Sequence, residues 1–153
     1  MANTYININL HIIFAVKNRE SLIPPHWQGR IYSFLGGILS NKGHIPIAIG
    51  GTDNHVHIFF AYKPTDPLPD LVRDLKINTT KFINENRITP FRFNWQAGYA
   101  CFSYSHSHID KVTAYIQNQI THHKGVTFKE ELVKFLEKFD VEYDERYILE
   151  DIK

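Results

Sequence analysis

His55 and His57 flank one apolar residue in the run Asn54-His55-Val56-His57-Ile58-Phe59-Phe60. Side chains two apart on a β-strand point to the same face. The two imidazoles therefore stand side by side, while Val56, Ile58 and Phe60 face the other way. Neutral imidazole is a common ligand for divalent metals, so the pair can start a metal site. Alone, the pattern is a weak signal, because exposed strands carry such pairs by chance.

A second set of polar residues lies downstream, in Tyr115-Ile116-Gln117-Asn118-Gln119 and His122-His123. Residues 107–124 read as one helix. Ile109, Val112, Ile116 and Ile120 recur at spacings of three and four and form its apolar stripe. His108, Lys111, Tyr115, Gln119 and His122 fall on another stripe. Tyr115 and Gln119 are one turn apart, so their side chains are neighbours. A structural tyrosine would more naturally join the isoleucine face. Tyr115 instead stands among groups that ligate metals, bind phosphate or move protons. An ordinary amphipathic helix with a polar outer face explains the spacing equally well.

The elements that must position these residues follow from periodicity. Residues 4–16 alternate, with Ile6, Ile8, Leu10, Ile12, Phe14 and Val16 on one face and Asn7, Asn9 and His11 on the other. This predicts a long strand packed on helices. Pro24 and Pro25 open a helix whose stripe is Trp27, Ile31, Phe34 and Leu35, and Gly43 ends it. Residues 44–49 and 55–62 read as strands joined by a turn at Gly50-Gly51-Thr52-Asp53-Asn54. Leu68, Leu71, Leu75, Phe82 and Ile83 mark a second helix. Residues 97–104 read as a strand. Phe128, Leu132, Phe135, Leu136 and Phe139 mark a last helix.

The order is βαββαβ followed by C-terminal helices. The predicted fold class is α+β, a ferredoxin-like or RRM-like antiparallel sheet with helices on one face. The other face is expected to stay open for chemistry. His11 then either supports the paired histidines or lies on the surface. The 153 residues form one domain by length. Residues 1–104 would hold the sheet and the metal-binding histidines, and residues 105–153 the tyrosine helix, the last helix and the tail.

Composition narrows the class. A 43% hydrophobic and 14% aromatic content suits a packed core. The lone Cys101 excludes an intrachain disulfide framework and fits a reducing cytoplasm. It lies in an apolar run, as expected of an inert buried thiol. The start alternates rather than running basic then apolar, unlike a signal peptide. No apolar run is long enough to span a membrane. Residues 1–128 carry 12 Lys and Arg against 7 Asp and Glu, a net of +5. Residues 129–153 carry 5 against 9, a net of −4. A mildly basic body permits nucleic-acid binding.

Asp53-Asn54-His55-Val56-His57 carries a His-apolar-His motif, and Tyr115-x-x-x-Gln119 follows it. With His11-Ile12-Ile13-Phe14, Lys17-x-Arg19, Trp95-Gln96-Ala97-Gly98-Tyr99 and the tail Asp144-Glu145-Arg146-Tyr147, the chain resembles a known family along nearly its whole length. It is similar to the HUH-type single-tyrosine transposases of single-strand-transposing bacterial insertion sequences and their REP-associated relatives. That resemblance implies a metal, Mg²⁺ or Mn²⁺, held by His55, His57 and Gln119, and a nucleophile at Tyr115. It implies cleavage and rejoining of single-stranded DNA at hairpin-bearing element ends through a 5′-phosphotyrosine. A homodimer is implied as well, in which the tyrosine helix of one subunit can complete the metal site of the other, with action in cis or in trans left open. Lys76, Lys81, Arg87 and Arg92 are the expected phosphate contacts. His122 is a candidate for assisting the tyrosine, with His11 behind the metal ligands.

Three alternatives stay open at this point. A domesticated REP-associated relative would act on host repeats with the same residues. A non-catalytic single-strand binder would use the same sheet. A water-using phosphodiesterase would work without Tyr115.

Overall fold

A computed structural model describes residues 3–146 of the chain. The core is β1 (Asn9–Ala15), α1 (Pro25–Asn41), β2 (Ile45–Gly51), β3 (His55–Ala61), α2 (Leu68–Glu85) and β4 (Ala100–Tyr104). The strands lie in the order β2-β3-β1-β4 and every neighbouring pair is antiparallel. This is the α+β sheet expected for a βαββαβ chain.

Register explains why β1 is shorter than the alternation of residues 4–16 predicts. Asn9 lies opposite Ala61 at the end of β3 and opposite Tyr104 at the end of β4. Residues before Asn9 have no strand on either side to pair with. Tyr5 and Ile6 are accordingly exposed.

One sheet face carries Ile12, Phe14, Val56, Ile58 and Phe60 and packs on α1 and α2, which contribute Ile31, Leu35, Leu39, Leu71, Leu75 and Ile83. Pro25 is the first residue of α1, where its missing N–H costs nothing. Gly43 follows that helix at φ 88°, a conformation that favours glycine.

The other face is not open, contrary to expectation. It is covered by α3 (Ile109–Gln117), α4 (Gln119–His122) and α5 (Phe128–Lys138). Ile13, Ala15 and Phe102 pack under Phe128, Leu132 and Leu136. Ala48 and Phe59 pack under Val112 and Ile116. Weight placed on Asn9, His11, His55 and His57 obscured the apolar residues that share their face. Those residues need a cover, and the C-terminal helices supply it.

The helix predicted over residues 107–124 is broken at Asn118, between α3 and α4. The break turns Gln119 inward, where it is 1% exposed, and leaves Ile120 61% exposed. A continuous helix would have kept Ile120 on the buried stripe. Gly50 in β2 lets α3 come close: a Cβ there would lie 2.7 Å from the Ile116 carbonyl oxygen. Among the described residues, no helix is long and apolar enough to cross a membrane. Tyr147 of the tail motif lies outside the described residues.

Candidate functional site

The hairpin from β2 into β3 delivers His55 and His57 onto the covered face, and both are fully buried. Each is tied down through Nδ1. His55 Nδ1 lies 2.6 Å from Asn54 Oδ1 and 3.1 Å from Thr52 Oγ1. His57 Nδ1 lies 2.7 Å from His11 Nε2, and the two rings stack. His11 is therefore no surface residue. It is fully buried and supports His57 from the neighbouring strand. Both Nε2 atoms are left facing the C-terminal helices.

What they face is Glu131 of α5, 1% exposed. Its Oε1 lies 3.1 Å from His57 Nε2, 3.4 Å from His55 Nε2 and 3.2 Å from His123 Nε2. Its Oε2 accepts a hydrogen bond from the Tyr115 hydroxyl and lies 3.6 Å from His122 Nε2. The two carboxylate oxygens thus divide the site: one meets the histidines, the other the tyrosine. Gln119 Oε1 is 3.1 Å from His55 Nε2. Thr127 caps α5, accepting from the Glu130 N–H, and so fixes the turn that carries Glu131.

Burial shifts the titrations. It brings His57 down to about 4 despite the opposing pull of Glu131. It also holds His11 well below the usual histidine range, assisted by His57. Burial works against ionisation of Glu131, but hydrogen bonds from His123, His55 and His57 win and hold its carboxyl far below the carboxylate range. Burial, followed by the hydrogen bond to Glu131 and then its charge, raises Tyr115 well above an ordinary phenol. At neutral pH the site thus holds a carboxylate and neutral His11 and His57 beside a protonated tyrosine. Cys101 is pushed up to about 11 by burial, as an inert thiol should be.

The donor set fits a divalent cation. His55, His57, His123 and Glu131 each offer one ligand atom, and these atoms lie within 4.8 Å of one another. A histidine donates from Nε2 in one tautomer; in the other, Nδ1 holds the proton and Nε2 offers a lone pair. The contacts of His55 to Asn54 and of His57 to His11 provide a partner for the proton on Nδ1. The Nε2 lone pairs would then face a carboxylate, an arrangement that a cation satisfies. Three imidazoles and one carboxylate suit Mn²⁺ better than Mg²⁺, which prefers oxygen.

Tyr115, His55, His57 and Gln119, named from sequence, are therefore brought together, with His11 and His122 beside them. Glu131 and His123, which the sequence reading did not name as candidate ligands, join the group. Glu131 had a legible signal: it is a charged residue three after Phe128 and four before Phe135, on the apolar stripe of its helix.

The predicted phosphate contacts lie on the α2 side of the sheet. Lys76, Lys81 and Arg92 line one groove together with Lys17 and Trp95. Arg87 does not line it; it follows α2 at φ 49°. Lys76 donates to the carbonyls of Gln96 and Gly98, so it braces the loop before β4.

A family model described as IS200-like transposase matches residues 4–119. The fold is similar to that of a candidate transposase of Deinococcus radiodurans R1, at 21% identity and a TM-score of 0.59 over 78% of this chain and 96% of that one. It is also similar to a REP-associated tyrosine transposase bound to a REP hairpin, at 14% identity and a TM-score of 0.58. That match covers 82% of this chain and 74% of the other. At these identities the likeness is one of fold. No curated protein sequence matches.

Proposed function

The chain belongs to the IS200-like transposase family, and from that premise we propose that it cleaves and rejoins single-stranded DNA through a covalent tyrosine intermediate. The observation that carries this reading is Tyr115 donating to a buried carboxylate that also meets three histidines. The Tyr115 oxygen forms a bond to the scissile phosphorus. The bond from phosphorus to the 3′-oxygen breaks, leaving a 5′-phosphotyrosine and a 3′-OH. Glu131 Oε2 orients the phenol, while His122 beside it takes the phenol proton and passes it to the departing 3′-oxygen. A phenol raised above its usual range needs an imidazole rather than so weakly basic a carboxylate as its acceptor.

A Mn²⁺ or Mg²⁺ ion bound by His55, His57, His123 and Glu131, with Gln119 adjacent, would supply Lewis-acid polarisation of the phosphate. Asn54 and His11 hold the two strand histidines at the correct nitrogen. His122 flanks Tyr115, with ring centroids 5.2 Å apart, and assists proton movement.

Phosphotyrosine conserves the energy of the broken phosphodiester, so the same site rejoins strands without ATP. Residues 1–104 supply the strand histidines and residues 105–153 the nucleophile, Glu131 and His123. In this reading the DNA carries hairpins at its ends, for which the neighbour bound to a REP hairpin gives support, and Lys81 and Arg92 contact its phosphates. The reading assigns the chain to the cytoplasm. Tyr115 meets Glu131 within one chain; in a homodimer the same site would be composed in trans by exchanging α3–α5 about the Ser105 turn that precedes α3.

The test is strand transfer. Purified protein, Mn²⁺ and labelled single strands from both flanks of its gene should give a joined product without ATP. Cleavage without joining, retained in Tyr115→Phe, would identify a water-using nuclease. Binding without cleavage would leave a single-strand binder.

A further inference from the structure

A cavity of about 330 Å³ opens beside the Tyr115 hydroxyl. Tyr104, Val112 and Phe135 give it apolar walls. Lys111, Lys134 and Lys138, all exposed, ring its mouth. Tyr115, Glu131 and His122 form its catalytic side. His11 also lines it, and His11 Nδ1 is a buried polar atom with no hydrogen-bond partner among the described residues.

We infer that this cavity binds one unpaired nucleotide flanking the scissile phosphate, with its base inside and its backbone phosphate on the lysine rim. The inference deepens the single-strand cleavage reading and rests on it. Three features select this occupant. The volume is at the low end for ligand pockets and excludes a base pair. Aromatic walls take a base by stacking, which requires no particular sequence. Charge matches as well: three lysines at the mouth attract the backbone phosphate of the flanking nucleotide. The nucleotide would thus be registered against Tyr115 before the attack.

The test uses the full chain as Tyr115→Phe, Mn²⁺, and single strands from the gene's flanks with 2-aminopurine walked along them. One position is expected to lose several-fold in fluorescence on binding, as a stacked base does. Phe135→Leu keeps that wall apolar while removing its ring, and should bind within a few-fold while losing that quenching. Lys134→Glu with Lys138→Glu should weaken binding about ten-fold at low salt. Lys63→Glu, on the loop before α2, should leave binding unchanged.

Binding with every position unquenched would put the strand elsewhere, for instance on the α2 groove, and overturn the inference. Quenching unchanged in Phe135→Leu, or no binding at all, would do so too. Each of those results alongside a wild-type covalent adduct on the same DNA would leave the cleavage reading intact. Quenching without any adduct would reject the cleavage reading and keep the pocket.

Discussion

Glu131→Gln separates two ligand sets for the metal. Sequence places Gln119 third beside His55 and His57, whereas the structure gathers His123 and Glu131 around the same two histidines. The substitution keeps the shape and removes the one carboxylate that the described residues bring to the group, an oxygen within 3.4 Å of all three imidazoles. Loss of a partner behind a ligand typically weakens metal binding by about 10–100-fold. Loss of a charged ligand should reach at least the upper figure, which is about 2.7 kcal/mol. At a fixed Mn²⁺ concentration far above Kd, stabilisation falls by the same amount. For a chain of this size that is roughly 5–10 °C of Mn²⁺-induced rise in Tm. Thermal melts of each protein with and without Mn²⁺ measure it, and the paired design cancels changes in metal-free stability. Gln119→Ala should keep most of the rise. A full rise in Glu131→Gln together with its loss in Gln119→Ala would refute the assignment.

Gly50→Ala forces a Cβ to within 2.7 Å of the Ile116 carbonyl; it should cost about 1–3 kcal/mol in urea unfolding and lower cleavage further by displacing Tyr115. Thr127→Ala removes the α5 cap and should cost about 1 kcal/mol, again by urea unfolding. The metal-free protein should weaken in acid. His57, lowered from 6.5 to about 4, refuses a proton that the unfolded chain accepts, so its share of stability is complete above about pH 6.5 and is lost as pH falls towards 4. That share is about 3 kcal/mol, and Glu131 adds loss in the same direction at lower pH. Unfolding midpoints in chelator at pH 7, 5.5 and 4 should fall in that order; a flat series would contradict the buried neutral histidine.

Much of the fold was legible because alternation and amphipathic stripes report directly on burial. The β3 histidines, the Val56/Ile58/Phe60 face and the Gly43 stop are local patterns. Two features were not local. The reach of β1 depended on where β3 and β4 end, which no pattern in residues 4–16 encodes. The covering of the histidine face depended on Ile13, Ala15, Phe59 and Phe102 jointly demanding α5 and α3. The same reason hid part of the site. His55, His57, Tyr115 and Gln119 stand in compact motifs, whereas Glu131 meets His57 from 74 residues away. Its position on an apolar stripe was the trace of that contact. The break at Asn118 was invisible because Ile120 continues the period.

The most direct measurement is the mass of the protein after reaction with single-stranded DNA and Mn²⁺. The account predicts a peptide containing Tyr115 that carries the downstream DNA through its 5′-phosphate, absent in Tyr115→Phe. Cleaved DNA with free 5′-phosphates, no modified peptide, and undiminished cleavage by Tyr115→Phe would contradict it.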